Sequence, residues 1–232
     1  MALSHSHKMI VVIFVIRGYG MNGLQITATL KSPVIVGSSA YMTLDGILGA
    51  ILFDQLQNID AAHDAIPIKQ TAGLFHASAA FIEAIDKSRT AFIAGLYPGH
   101  SIDPDLILKN KKGNLHRSFD SSLTNVMNTY RQITAPSATW YVVGDADCIK
   151  TLLNAVEFIG KRRASGFGQV ESWSIEQSDT NGLLGYEGEP IRPIPIEMFE
   201  GDKSLSITDA AWRPAYWDLK NRGACYAPTL LN

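Results

Sequence analysis

The sequence predicts an α+β protein built on an RRM-like or ferredoxin-like antiparallel sheet, with insertions and a small C-terminal appendage of β and irregular structure. Three observations lead to this prediction: strands with alternating apolar residues, two amphipathic helices, and a β-α-β-β-α-β order. The 232 residues are 46% hydrophobic, a composition that can bury a real core. An antiparallel sheet with both helices on one face leaves its other face free for a ligand.

The chain is predicted to divide into three parts. Residues 1–20 form an N-terminal extension or an extra strand, because the apolar run from Met9 to Ile16 is too short to span a bilayer and no signal cleavage site follows. Met21 is an alternative start. The RRM-like domain covers residues 21–177, with a basic insertion near 106–119, and the appendage covers residues 178–232.

The first predicted strand and helix lie near the beginning of the domain. Residues 24–31 alternate apolar and polar side chains, which is the period of a strand. A helix follows in "TLDGILGAILFDQL", which Thr43 can cap. Gly46 and Gly49 weaken a helix by about 1 kcal/mol each relative to alanine. We therefore expect these glycines to allow close packing of the helix on the sheet.

The pattern returns later in the chain, after strand-like segments in residues 70–98. "ATWYVVGD" (138–145) reads as a strand, and "ADCIKTLLNAVEFIG" as a helix capped by Asp145 or Asp147. Gly160 is predicted to end this helix. A loop rich in glycine and cations follows, and then the strand "QVESWSIE".

Several classes of function are not supported by the sequence. A net charge of -2 means that any basic surface must be local. Cys148 and Cys225 form no CxxC pair, so we predict idle thiols in a reducing cytosol rather than a zinc site or a disulfide. HExxH and GxSxG motifs are absent, and no metal or cofactor is predicted.

The loop "GKRRASGFGQ" (160–169) combines features suited to a polyanion. Its glycines can adopt positive φ and let a backbone approach closely, and Lys161, Arg162 and Arg163 can bind phosphates. Phe167, between two glycines, is predicted to turn outward and stack on a base. The alternative is a helix C-terminus whose cations offset the macrodipole, which explains Lys161 and Arg162 but not the glycine spacing.

Two motifs together resemble the CRISPR-associated RAMP superfamily. The spacing of Gly160 and Gly166-Phe167-Gly168 is similar to its glycine-rich loop, and Leu44-Asp45-Gly46-Ile47-Leu48-Gly49 is similar to its LDGxLA opening. They bracket residues 24–176. The size, the single glycine loop and the tail "AWRPAYW" most resemble the Cas-five-like subunit that caps the 5′ handle of the CRISPR RNA in type IV effector complexes.

The resemblance implies an RNA-binding subunit of a cytoplasmic effector complex, active in antiviral defence and anti-plasmid interference. Its implied neighbours are the backbone-forming RAMP subunit and the large subunit, with no membrane partner; contact with target DNA near its flanking motif is left open. The candidate RNA-binding residues are Lys161, Arg162, Arg163, Ser165, Gly166, Phe167, Gly168, Gln169, Lys111, Lys112, Arg117 and Lys31.

One alternative is enzymatic. Some handle-capping RAMP proteins cut precursor RNA without metal, using Tyr, Lys and His, and this chain has Tyr41, Lys112 and His116. Such a ribonuclease needs a base near the 2′-OH and an acid near the leaving oxygen, and the spacing does not show that these residues converge. Because a separate RAMP subunit usually cuts RNA in type IV complexes, we expect no catalysis here.

Overall fold

The computed structural model describes residues 20–37, 41–94 and 126–229, and these ranges contain the helices α1 (Leu44–Leu56), α2 (Ile59–Asp64) and α3 (Ala146–Leu153). Their strands are β1 (Asn22–Leu30), β2 (Val34–Ile35), β3 (Gln70–Thr71), β4 (Leu74–Phe75), β5 (Asp86–Ala94), β6 (Val126–Thr134), β7 (Ser137–Gly144), β8 (Val170–Gln177), β9 (Ile194–Pro195), β10 (Ile207–Ala211) and β11 (Arg222–Tyr226). The predictions for residues 1–19 and for the basic insertion near 106–119 lie outside the described residues.

The central sheet has the order β7-β1-β8, with β1 antiparallel to both neighbours. Alternation in β1 buries Leu24, Ile26 and Ala28, and Trp140 in β7 lies directly opposite Ile26. On the other face, the hydroxyls of Thr27 and Thr139 hydrogen-bond at 3.2 Å. The three strands predicted from alternating or β-branched sequence are therefore confirmed. Together with the helices, these antiparallel sheets confirm the predicted α+β class.

The RRM-like arrangement predicts a fourth strand, and its place beside β7 is occupied by irregular backbone. Residues 68–81 bridge β7 at three separate points, Ile68–Gly144, Ala77–Val142 and Phe81–Thr139. Between these points lies the short hairpin of β3 and β4. The long strand β5 instead pairs with β6, which pairs with β2 on its other side, in a separate sheet. The regular central sheet therefore has three strands, and the RRM-like detail stays a prediction.

Helix α1 contributes Leu44, Leu48 and Leu52 to the same buried core as β1 and β7. Thr43 is its N-cap residue, but its side chain makes no capping hydrogen bond. The hydroxyl instead donates to the Tyr216 hydroxyl at 2.7 Å. Thr43 therefore occupies the predicted N-cap position, but its side chain does not cap the helix. Within the described residues, no helix is long and apolar enough to cross a membrane.

Helix α3 begins as predicted but ends early. The Asp145 carboxylate accepts a hydrogen bond from the Cys148 amide at 2.9 Å, so Asp145 and not Asp147 is the cap. The helix ends at Leu153 rather than at Gly160. Residues 157–159 instead pair with the start of β8, where the Ile159 amide donates to the Gly168 carbonyl at 2.8 Å. Ile159 remains a core residue, but through extended backbone.

The C-terminal part contains a small sheet. Strands β9, β10 and β11 form an antiparallel sheet in the order β10-β11-β9. Its buried side chains Ile194, Phe199 and Tyr226 pack with Leu74 of β4. The appendage therefore shares a hydrophobic cluster with the earlier part of the chain.

A buried ion pair joins helix α1 to the C-terminal part. Asp45 and Arg192 are both 0% exposed, with 3.4 Å between Oδ1 and Nη1. The Tyr216 hydroxyl donates to the Asp45 carboxylate at 2.6 Å. Arg192 also donates to the carbonyls of Ala77 at 2.9 Å and Trp212 at 2.6 Å, and to that of Phe75. Burial, and next the charge of Asp45, raise the pKa of Tyr216, which therefore stays a hydrogen-bond donor.

The glycines of α1 make room for the segments that pack against this helix. A Cβ on Gly46 would lie 2.9 Å from the Tyr216 ring, and one on Gly49 would lie 3.3 Å from Ile66. The expectation that these glycines allow the helix to approach the sheet is therefore wrong. They allow residues 214–216 and Ile66 to approach the helix.

We expect Asp45→Ala to destabilise the fold by about 3–5 kcal/mol, because it leaves the Arg192 guanidinium buried without its counter-charge. Tyr216→Phe should cost at least about 1.5–3 kcal/mol, because it removes the hydrogen bond to the Asp45 carboxylate together with those from Thr43 and Arg192. Urea unfolding monitored by circular dichroism measures both. The control is Asp209→Ala, which breaks the exposed pair with Arg222 and should cost at most about 1 kcal/mol. Equal losses for Asp45→Ala and Asp209→Ala would show that the buried pair has no special role.

Candidate nucleic-acid interface

Two of the three glycines in the predicted loop serve the packing of the chain itself. Gly160, Gly166 and Gly168 all have positive φ, as predicted. A Cβ on Gly160 would lie 2.6 Å from the Ile35 carbonyl oxygen, and one on Gly168 would lie 1.9 Å from that of Ile159. Around Gly166 there is nothing within 4 Å. Only Gly166 therefore leaves open surface that a ligand backbone could approach.

The loop is held against the β5–β6 hairpin by Arg162. The carbon Cζ of Arg162 lies 4.9 Å from the ring centre of Phe92 and 4.7 Å from that of Tyr130, and Nη2 donates to the Tyr130 hydroxyl at 2.5 Å. The Phe167 ring meets Phe92 edge to face at 5.9 Å. We call Phe92, Tyr130 and Phe167 the aromatic clasp.

This contact changes the roles predicted within the loop. Phe167 does not turn freely outward, because its ring packs on Phe92. The Arg162 guanidinium contacts the rings of Phe92 and Tyr130 and the Tyr130 hydroxyl, so Arg162 is a positioning residue for the loop. Sequence reasoning missed Phe92 and Tyr130, which the register of the hairpin places two positions apart on one face. In the sequence, the only sign of these two residues' role is that they are aromatic and lie in strand-like segments.

Lys161, Arg163 and Ser165 remain on the exposed side of the loop. Residues 163–165 form a single 3-10 turn, and the amide of Gly166 donates to the Arg163 carbonyl at 2.9 Å. Among the described residues, no carboxylate forms an ion pair with Lys161 or Arg163. These two cations are therefore exposed, and they are held on a turn of defined shape.

The other candidates lie in two places. Lys31 pairs with Glu171 at 3.4 Å, and both side chains are about half exposed. Its amide donates to the Gln169 carbonyl at 2.8 Å, so Lys31 and Gln169 continue the surface of the loop. Lys111, Lys112, Arg117 and His116 lie outside the described residues.

Tyr41 is the one member of the possible catalytic trio that the structure describes. It lines a groove beside α1, and burial raises the pKa of its hydroxyl. A raised pKa makes the phenolate a rarer species at neutral pH.

Within the described residues, no cluster of three or more His, Cys, Asp or Glu side chains could hold a metal ion. Burial also raises the pKa of the Cys225 thiol to about 11.

The groove connects the loop to the C-terminal part and has a volume of about 1020 Å³. Lys161, Arg163 and Ala164 contribute to its wall from the loop, and Ile47 and Ile51 from α1. Residues 214–217 form another stretch of the wall. The lining is mostly apolar, and its two cations, Lys161 and Arg163, both come from the loop, so phosphates are favoured only beside the loop.

Comparison with known proteins assigns the chain to a family. The family model described as "CRISPR type IV associated protein Csf3" matches residues 108–228, about half of the 232 residues. The chain belongs to this family, and its predicted place among type IV CRISPR-associated proteins is confirmed.

The other comparisons do not add to this family assignment. No curated protein matches the sequence. One solved chain to which it is similar comes from "Cryo-EM structure of the Type III-B Cmr-beta bound to cognate target RNA", with a TM-score of 0.39 and 8% identity. The alignment covers 67% of this chain, and the chain spans about 61% of the length of that solved chain.

We expect Arg162→Asn to release the loop from the hairpin, because asparagine tolerates the left-handed backbone at this position, where φ is 58°. Cation–π contacts of this kind contribute about 0.5–2 kcal/mol. Hydrogen exchange of residues 163–168 should speed up, with no change in α1. Arg163→Ala is the control and should leave exchange unaltered. Unchanged exchange in Arg162→Asn would show that the clasp does not hold the loop.

Proposed function

We propose that this chain is the subunit of a type IV CRISPR effector complex that holds the 5′ handle of the CRISPR RNA on its glycine loop. Membership of the Csf3 family makes the chain a component of a type IV CRISPR system. The observation that carries the proposal is the loop itself, where exposed Lys161 and Arg163 flank a turn fixed by Arg162 and open at Gly166. The proposed protein neighbours are the backbone-forming RAMP subunit and the large subunit.

The physical argument starts from phosphate binding. Lys161 and Arg163 can each neutralise a phosphate and release condensed counterions. Because the clasp orders the loop before the RNA arrives, less conformational entropy is lost on binding. Gly166 lets the ribose–phosphate chain approach the backbone without a Cβ in the way. In this proposal Arg162 and Phe167 hold the loop, whereas Lys161 and Arg163 touch the RNA.

We expect Lys161→Ala with Arg163→Ala to weaken binding of a labelled handle RNA and to flatten its salt dependence. For single strands the slope of log K against log salt changes by about 0.7 per lost phosphate contact, so two contacts give about 1.4. Fluorescence anisotropy over a salt series measures both quantities. Lys150→Ala with Lys220→Ala removes the same charge from exposed positions elsewhere and should leave the slope unchanged. If both double variants behave like the parent protein, the loop does not bind the RNA.

We propose that the chain binds RNA without cutting it. Purified protein incubated with labelled repeat RNA and EDTA should leave the RNA intact over hours, and denaturing gels report the products. The contrary result is site-specific cleavage that disappears in His116→Ala or Lys112→Ala. That outcome would establish the metal-free endoribonuclease instead, and Tyr41→Phe would then test the third residue.

A further inference from the structure

Trp217 is a large side chain held in the open by rigid neighbours. Its indole is 75% exposed, although Pro214 is buried and Tyr216 is hydrogen-bonded to Asp45. The Asp218 amide donates to the Ala215 carbonyl at 3.0 Å, and the Asn221 side chain donates to the Pro214 carbonyl at 3.0 Å. Trp217 is therefore exposed on a fixed turn and not on a loose end.

Apolar side chains from two helices surround this tryptophan. Phe53 of α1 and Ile59 of α2 line the same groove as Trp217, and all three are exposed. A second hollow of about 360 Å³ also uses Ile59 and Trp217. We call Phe53, Ile59 and Trp217 the Trp217 patch. Exposed tryptophans in apolar surroundings beside a cleft are typical of protein–protein contact sites.

The charges around the Trp217 patch identify the kind of partner. Five carboxylates line the two hollows: Glu157 shortly before the loop, and Asp54, Asp60, Asp64 and Asp218 on α1, on α2 and next to Trp217. Two cations, Arg213 and Lys220, also line the smaller hollow, and the Arg213 guanidinium stacks on Trp212 at 4.7 Å and donates to Asn221 at 2.7 Å. Two cations against these four aspartates leave the surface net negative. An acidic rim repels phosphates, so nucleic acid is disfavoured here. The loop cations Lys161 and Arg163 lie on a different stretch of the groove wall.

We propose that the Trp217 patch docks another protein subunit of the type IV complex, through a segment of that subunit that places an apolar side chain beside lysine or arginine. The apolar side chain packs against the indole, and the cations face the four aspartates. The acidic rim selects cationic partners and the exposed tryptophan contributes most of the affinity. The Trp217 patch and the proposed RNA-binding loop line one groove but share no residue, so the proposal has the chain hold RNA and subunit together.

The test places the photo-cross-linking residue benzoylphenylalanine at position 217 in the complex assembled in cells that carry its repeat RNA. Mass spectrometry should identify a peptide of another subunit that contains an apolar residue and Lys or Arg. Benzoylphenylalanine at Tyr186, which is 94% exposed and outside the patch, is the control and should not yield that peptide. Cross-links to RNA, to a second copy of this chain or to an acidic peptide, or no cross-link, would overturn the proposal.

A second measurement uses substitutions. Trp217→Ala should reduce retention of the cross-linked subunit about tenfold or more, and Asp60→Asn with Asp64→Asn should reduce its salt sensitivity. Handle RNA binding by the isolated chain should not change in either variant. Loss of RNA binding in Trp217→Ala would assign the patch to RNA and overturn the proposal. If the Lys161 and Arg163 variants bind handle RNA like the parent protein while the cross-link persists, only the proposed RNA site is overturned.

Discussion

The ion pair between Asp45 and Arg192 is the constraint on which the arrangement of this molecule depends. Two ions removed fully from water are tolerated only when they are paired and further hydrogen-bonded, and here Tyr216 and three carbonyl groups supply further hydrogen bonds, with the Arg192 Nε left without a partner among the described residues. The partners come from α1, from residues 75–77 and from residues 212–216. Forming the pair therefore requires the C-terminal part to lie along α1, and misplacing any one of these segments leaves a buried charge unsatisfied.

That requirement also shapes the surface. Because Tyr216 must reach Asp45, its neighbour Trp217 is directed outward at the groove beside α1. Gly46 then has to lack a Cβ, since the Tyr216 ring occupies that space. The Leu44-Asp45-Gly46 motif is thus explained by packing: leucine for the core, aspartate for the ion pair, and glycine for the tyrosine. The same contact that completes the fold forms one wall of the groove.

The features that sequence predicted correctly are local ones. Strand β1 follows from alternation, the start of α3 from the Asp145 cap, and positive φ from glycine. The errors involve partners far along the chain. Helix α3 ends early because residues 157–159 form hydrogen bonds with the backbone of residues 168–170. Arg162 is withdrawn from solvent because strands β5 and β6 bring Phe92 and Tyr130 to it. Neither pairing leaves a trace in the local pattern. Arg192 is the one lysine or arginine between residues 171 and 202, and this pattern gives no sign that it forms a buried ion pair with Asp45.

The clasp also explains how a loop with three glycines can have one shape. Glycine loses more conformational freedom on folding than any other residue, so this loop needs compensating contacts. Gly160 and Gly168 obtain them by fitting against the carbonyls of Ile35 and Ile159, and Arg162 adds the contact with the hairpin. The turn from Arg163 to Gly166 is held at its two ends by these contacts, and its side chains are exposed. If the loop binds RNA as proposed, the affinity that Arg162 adds is therefore indirect and weakly dependent on salt, whereas the affinity that Lys161 and Arg163 add is direct and falls steeply as salt rises.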